Sequence, residues 1–264
     1  MTEYKTIKAQ REPNGVLHLR LFRPQVKNAF NPVLIRELRQ AFLDAEADTT
    51  LRVITLRGEG GTFCSGGDLN WMKESLSYTP EENYRDAENL YALFDAIDRC
   101  RLPIVGGAEG FALGGGVGLV SVCDYVVAQS GTQFSLSEVR VGLVPACIGP
   151  FVLRKIGESQ ARALFLSSER FTVERALQIG LIHEVAADSE GVTRAMERIT
   201  KSILSASPNA IAVAKEFIRS LTRTSKEEQG PLAVRTLAEI RVTPEAQEGL
   251  RAFLEKRPPK WRSA

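Results

Sequence analysis

Histidine is scarce in this 264-residue chain, which contains only two, and its four cysteines form no CxxC pair. Two histidines cannot build a multi-histidine metal site, and His18 and His183 both lie in apolar segments typical of strands, so we predict no bound metal. The GxSxG elbow of serine hydrolases and the GxxxxGK phosphate loop are also absent. These absences argue against a serine hydrolase and a P-loop nucleotidase.

Long apolar runs and a large net charge are missing too. No run approaches the roughly 20 apolar residues that span a bilayer, and the first residues, MTEYKTIKAQRE, are too polar for a signal peptide. The 34 Lys and Arg residues nearly balance 32 Asp and Glu residues, which leaves a net charge of +2. We therefore expect a cytoplasmic protein with reduced thiols that binds neither nucleic acid nor a membrane.

The composition that remains is that of a globular protein, with 44% hydrophobic and 25% charged residues. Residues 16–22 alternate with period two and predict a strand. Asn31-Pro32 has the order of an N-cap followed by proline and predicts the start of a helix. Strand and helix signals alternate to about residue 150 and helical patterns follow, so we predict an α/β fold with a helical C-terminal part.

Three further segments of the chain have a predicted form. IVGGAEGFAL, residues 104–113, is typical of one continuous strand. SLSEVRVGLVP, residues 135–145, has a strand-like alternation. Residues 231–254 have the spacing of one long helix.

Two glycine-rich loops, residues 58–68 and 110–118, each follow a predicted strand and begin a helix. Glycine lets a backbone approach a ligand closely, and N–H groups at a helix start favour an anion or a developing oxyanion. Tight turns and close helix packing would explain both loops equally well. A dinucleotide site is disfavoured, because Phe63 stands where the third glycine of GxGxxG would be.

Glu138 is the acidic residue with the most apolar surroundings, since Leu136, Val139 and Val141 flank it. Composition alone favours a carboxylate on the solvated face of a strand. The alternative holds it at the edge of a pocket, where desolvation would raise its pKa and suit it to proton transfer. Asp68 is predicted to cap the helix after the first loop.

Five motifs occur in order along the chain: GTFCSGGDLNWM, GFALGGGVGLVSVCD, FSLSEVRVGLVPACIGPFVLRKIG, ERFTVERALQIGLIHEV and EAQEGLRAFLEKRPPKW. Together they resemble the crotonase (enoyl-CoA hydratase/isomerase) superfamily. The resemblance implies a crotonase-like spiral of ββα repeats over residues 1–200 and a helical trimerisation region over residues 201–264. It also implies a homotrimer or a dimer of trimers. The ligands would be acyl-CoA thioesters, with coenzyme A as part of the substrate and no other cofactor.

The resemblance also implies roles for individual residues. The N–H groups of Gly67 and Gly115 match an oxyanion hole, whose donors would stabilise a thioester enolate. Glu138 matches a catalytic glutamate. The residues implied to bind CoA or the acyl group are Lys27, Ala29, Ser65, Gly66, Asp68, Leu69, Gly118, Phe253 and Lys256.

Gly118 stands where typical hydratases of this superfamily have a second glutamate. Either Glu138 alone transfers protons during hydration or the reaction is not hydration, as in the single-glutamate enoyl-CoA isomerases. The finer motif pattern resembles the bacterial 3-methylglutaconyl-CoA hydratases, which favours hydration of a branched enoyl-CoA. A protein that binds acyl-CoA without catalysis is the third alternative.

The resemblance to 3-methylglutaconyl-CoA hydratases leads to two expectations about the acyl group. Glycine at position 118 should leave space for the methyl branch of the substrate. A distal carboxylate would need a cationic partner. The candidates are Lys73, beyond the first loop, and Arg140, which strand alternation would put on the same face as Glu138; each could equally be a solvated surface cation.

Overall fold

A computed structural model describes residues 4–262; residues 1–3 and 263–264, the outer ends of the two predicted regions, lie outside it. The strands are β1 (Ile7–Arg11), β2 (Val16–Leu21), β3 (Val53–Gly58), β4 (Ile104–Ala108), β5 (Phe111–Leu113), β6 (Tyr125–Gln129), β7 (Gln133–Ser135), β8 (Arg170–Thr172) and β9 (Glu184–Ala186). The helices are α1 (Pro32–Ala47), α2 (Leu69–Ser75), α3 (Pro80–Arg99), α4 (Gly115–Val122), α5 (Gly149–Ser167), α6 (Val173–Gln178), α7 (Ser189–Ser205), α8 (Pro208–Leu221), α9 (Lys226–Arg241) and α10 (Pro244–Leu254).

The main sheet has six strands in the order β1-β2-β3-β4-β6-β9, and a smaller sheet has the order β5-β7-β8. β1 pairs antiparallel with β2, and the remaining neighbours in the main sheet are parallel. Parallel strands end at one edge of a sheet. The first glycine-rich loop leaves β3, and the second follows β4 and contains β5, so both loops start from the same side of the fold.

Helices cover both faces of the main sheet. On one face α1 packs with α3, and Leu34, Leu38 and Phe42 of α1 are buried in the larger core cluster. On the other face α7 contacts β4 and β6, and its buried Met196 joins a second cluster that includes Val105. A sheet covered on both faces is typical of an α/β protein. The predicted fold class is therefore confirmed.

Two predicted elements are each split in the structure. Residues 104–113 form β4 and β5, which lie in different sheets, because the chain turns at Gly110 (φ +61°). The residue before this turn, Glu109, forms a buried ion pair with Arg57 at 2.7 Å. The helix predicted over 231–254 is α9 and α10. It breaks because Thr243 accepts a hydrogen bond from the Ala246 N–H (3.3 Å) and the following proline begins a new helix.

The C-terminal helices α8–α10 form an arm beside the core. The predicted boundary between residues 200 and 201 lies inside α7 and stays a prediction. Polar contacts join α8 to the core: Lys215 Nζ donates to Asp124 (2.6 Å) and to the Leu102 carbonyl (2.9 Å). The arm exposes large apolar side chains, which the predicted trimer would cover. They are Ile218, Val234, Leu237, Val242, Leu250, Phe253 and Leu254.

Candidate active site

The two glycine-rich loops lie side by side. The Cys64 N–H donates to the Phe111 carbonyl and the Leu113 N–H donates to the Cys64 carbonyl, both at 2.9 Å. A Cβ built on Gly66 (φ +93°) would lie 3.2 Å from the Leu113 carbonyl oxygen. The first loop therefore runs along β5 with its glycine backbone against the start of the second loop.

The N–H groups of Gly67 and Gly115, at this junction, have no hydrogen-bond acceptor among the described residues. The Phe30 N–H donates to Gly66 (2.7 Å), the Asp68 N–H to Phe30 (2.8 Å) and the Gly114 N–H to Ser135 (2.8 Å). Within residues 4–262, neither Gly67 nor Gly115 donates to another group. Gly115 is the first residue of α4, where the helix has no internal acceptor and carries partial positive charge. The pair is suited to binding an oxygen that gains negative charge.

Glu138 lies beside this junction on a single 3₁₀ turn, Glu138–Val141, and not on the predicted strand. A Cβ built on Gly114 would lie 3.1 Å from its Oε1. Its Oε2 is buried and has no hydrogen-bond partner among the described residues. Burial raises the pKa of Glu138, against a weaker lowering by a backbone hydrogen bond. The carboxyl of Glu138 is therefore half-buried and not on a solvated strand face, and such a group is suited to proton transfer.

Most of the predicted CoA-binding residues gather at the first loop. Ser65 donates through its N–H to the Lys27 carbonyl (3.0 Å). Gly66 and Asp68 bracket Gly67, and Leu69 begins α2 with 81% of its surface exposed. Ala29 is buried next to Phe30. By contrast, Phe253 and Lys256 lie at the exposed end of α10. No hydrogen bond or ion pair within the described part of the chain joins those two to the loops.

Asp68 caps α2 as predicted, since its Oδ1 accepts from the Asn70 N–H at 2.8 Å. It also forms a nearly buried ion pair with Arg23 at 2.7 Å, and no local signal in the sequence predicts this pair. Burial alone would raise the pKa of Asp68, but the hydrogen bond from Arg23 and those from the backbone lower it below its ordinary value. Asp68 is therefore ionised, and its hydrogen bonds fix the backbone next to the preceding residue, Gly67.

The expectation that Gly118 leaves space for a substrate branch is wrong. Gly118 is buried in α4, and a Cβ built on it would lie 2.4 Å from Ile148 Cγ2 and 2.8 Å from Phe94 Cε1. Two apolar side chains thus fill the place that a second glutamate would need. Glycine is required here because the packing is close, and not because a cavity adjoins it.

Alanine at position 118 should therefore destabilise the protein. Overpacking of this kind costs about 1–3 kcal/mol in free energy of unfolding, measured by denaturant titration at fixed protein concentration. The matched control is the same substitution in an Ile148→Ala background, where the clash is relieved and the cost should shrink. Equal costs in the two backgrounds would show that Ile148 does not crowd Gly118.

The two cations proposed for a distal carboxylate are exposed. Arg140 lies on the 3₁₀ turn, so strand alternation does not place it beside Glu138; its Nε donates to the Ser168 hydroxyl at 2.8 Å. Lys73 is exposed on α2.

Among residues 4–262 there is no group of three or more His, Cys, Asp or Glu that could hold a metal. No described helix is long and apolar enough to cross a membrane.

This α/β fold, with two acceptor-free N–H groups beside one half-buried glutamate, is that of a crotonase-type enzyme. The chain belongs to the enoyl-CoA hydratase/isomerase family, which it matches over residues 11–264. It is 31% identical to a putative enoyl-CoA hydratase of Thermus thermophilus (90% of this chain, 94% of that one) and 31% identical to the 2,3-dehydroadipyl-CoA hydratase of Escherichia coli (92% and 94%). A crystal structure of an enoyl-CoA hydratase from Shewanella pealeana superposes with a TM-score of 0.94 at 33% identity, covering 98% of this chain and 97% of that one.

Proposed function

We propose that the protein catalyses the reversible hydration of an enoyl-CoA thioester, with Glu138 as the single acid and base. The observation that carries the proposal is the buried, unpartnered Oε2 of Glu138 beside two acceptor-free N–H groups, those of Gly67 and Gly115. A thioester oxygen bound between the two donors would bring Cα and Cβ of the acyl group towards the carboxylate. CoA would bind where Ser65 of the first loop meets Lys27, whose carbonyl accepts from the Ser65 N–H.

In the proposed mechanism the Glu138 carboxylate takes a proton from water as the water oxygen bonds to Cβ. The π electrons of the double bond move onto the thioester oxygen, and the two N–H groups stabilise the resulting enolate. The enolate then takes the proton from Glu138 at Cα. The product is a 3-hydroxyacyl-CoA, and the carboxylate is regenerated.

Isomerisation of the double bond is the second candidate, and the apolar side chains of Ile148 and Phe94 beside Gly118 favour it. In two-glutamate hydratases the second carboxylate would help to hold the water, whereas the space at position 118 is filled by apolar groups. A single carboxylate is enough to move a proton between Cα and Cγ of the acyl chain. Glu138 and the two N–H groups would then have the same roles without added water.

For the substrate, we propose a branched enoyl-CoA with a distal carboxylate, 3-methylglutaconyl-CoA being the best single example. The motif resemblance supports this, as does the relative named for 2,3-dehydroadipyl-CoA. The filled space at Gly118 and the exposed Arg140 give it no support. The proposal on the acyl group therefore depends on sequence similarity, while the proposal on the reaction type also depends on the site.

A comparison of three thioesters tests both proposals. We expect kcat/KM for 3-methylglutaconyl-CoA to exceed that for 3-methylcrotonyl-CoA and crotonyl-CoA at least about tenfold, or ~1.4 kcal/mol. The two analogues have no distal carboxylate, so the group that pairs with it in the proposed substrate would stay unpaired. The assay is the loss of enoyl thioester absorbance, with products identified by mass spectrometry. Equal or better turnover of crotonyl-CoA would contradict the carboxylated substrate. A product of unchanged mass with a shifted double bond would establish an isomerase. Tight binding of acyl-CoA without turnover would establish a non-catalytic protein.

A further inference from the structure

Phe30 contacts both predicted oxyanion donors. Its backbone brackets Gly67, because its N–H donates to the Gly66 carbonyl at 2.7 Å and its carbonyl accepts from the Asp68 N–H at 2.8 Å. Its ring lies against Gly115: a Cβ built there would be 2.7 Å from Cε2 and 2.9 Å from Cδ2. One residue therefore touches the backbone on both sides of the predicted hole.

The ring of Phe30 has little freedom to move. The residue is 1% exposed, and its ring packs against that of Phe94 with centroids 6.1 Å apart. A buried aromatic ring is a rigid spacer, because it has two χ angles and its neighbours fill the space around it. The thickness of this ring limits the approach of α4 to the first loop, together with the direct contact of Gly116 with Cys64, where a Cβ built on Gly116 would lie 2.6 Å from the Cys64 carbonyl oxygen.

The segment that carries Phe30 is fixed by two preceding residues. Asn28 is buried with φ +56°, and its amide donates to the Glu59 carbonyl (2.9 Å) and the Thr62 carbonyl (2.6 Å) of the first loop. Arg23 donates to Asp68 at 2.7 Å and also to the Ala29 carbonyl. These bonds tie the segment to both ends of the first loop, so Phe30 cannot shift independently of Gly67.

We propose that Phe30 is a positioning residue that sets the separation of the Gly67 and Gly115 N–H groups. The inference rests on the proposed function, in which both groups bind the thioester oxygen. Donors held at a fixed separation act on the transition state without reorganisation. A displacement of about 1 Å in a catalytic group can cost on the order of 10²-fold in rate. Phe30 would thus affect turnover without touching the substrate.

The test replaces Phe30 with leucine and measures how strongly the site polarises a thioester carbonyl. The probe is cinnamoyl-CoA, whose absorbance shifts to longer wavelength when its carbonyl is polarised on binding. We expect Phe30→Leu to reduce this shift and to lower kcat roughly 10- to 100-fold, with KM changed much less. The matched control is Phe42→Leu, since Phe42 is also 1% exposed but lies in α1, where it should lose comparable packing and keep the wild-type shift and kcat.

The possible outcomes separate this inference from the proposed function. A wild-type shift and kcat in Phe30→Leu, or equal losses in both variants, would overturn the positioning role while leaving the proposed function intact. A wild-type protein that neither shifts the probe nor turns over any enoyl-CoA would overturn the proposed function and this inference with it. If Phe30→Leu does not fold, Phe30→Met offers a longer, more adaptable side chain without the rigid ring and is expected to show the same selective loss.

Discussion

Replacing Glu138 with glutamine is expected to lower kcat by about 10²–10⁴-fold, the usual contribution of a general acid or base, while CoA affinity stays within a few-fold. Glutamine has nearly the same shape but cannot accept a proton from water or return one to Cα. The substitution leaves the predicted CoA contacts at Lys27 and Ser65 unchanged. Stopped assays for kcat and a titration with CoA measure the two quantities separately.

The pH dependence of the wild type provides a second measurement on Glu138. Burial raises its pKa above the ordinary value of 4.5, and the group must be ionised to take a proton from water. We therefore expect kcat/KM to be constant at higher pH and to fall as the pH drops through the raised pKa. Glu138→Gln should lose this limb, and its melting temperature should show that it remains folded. Near-wild-type turnover by a folded Glu138→Gln variant would mean that another group transfers the proton.

Substituting proline for Gly115 is expected to reduce kcat by about 10²–10³-fold, the usual loss when one oxyanion donor is removed. Proline has no N–H, and it is tolerated at the first position of a helix, which Gly115 occupies in α4. The measurement is kcat with saturating substrate, together with the absorbance shift of bound cinnamoyl-CoA.

The matched control for this variant is Gly115→Ala, because any side chain here also presses on Phe30. Alanine keeps the N–H and adds the same Cβ, which would lie 2.7 Å from the Phe30 ring. The difference in kcat between the two variants therefore isolates the missing donor. If alanine and proline lower kcat equally in folded proteins, the loss is steric, and the Gly115 N–H does not act on the thioester oxygen.

Local signals in the sequence predicted the parts of the fold that depend on neighbouring residues. Asn31 caps α1 as expected, and its side chain accepts from the Leu34 N–H at 2.9 Å. Both glycine-rich loops follow strands and precede helices. The break between α9 and α10 falls at Thr243-Pro244, a cap-and-proline pair of the same kind as Asn31-Pro32. Alternation in residues 135–145 predicts a strand, but β7 ends at Ser135 and Glu138–Val141 form a 3₁₀ turn.

The features that could not be predicted depend on residues far apart in the chain. The Arg23–Asp68 ion pair spans 45 positions, and the buried partners of Gly118 come from α3 and from just before α5. The sequence shows a glycine at position 118 whether a cavity or an isoleucine lies beside it. A sequence pattern records the missing carboxylate at this position, but only the packing shows that its space is filled.

The junction of the two glycine-rich loops has a consequence for the entropy of binding. Both acceptor-free N–H groups belong to the main chain and are fixed by hydrogen bonds that exist before any ligand arrives. Ordering a flexible polar side chain costs up to about 1.5–2 kcal/mol in lost rotamers, and main-chain donors avoid that cost. If these groups bind the thioester as proposed, Glu138 is the main side chain at the reacting atoms that loses conformational freedom on binding. Binding energy from the rest of the CoA molecule then remains available to hold the acyl chain in its reactive conformation.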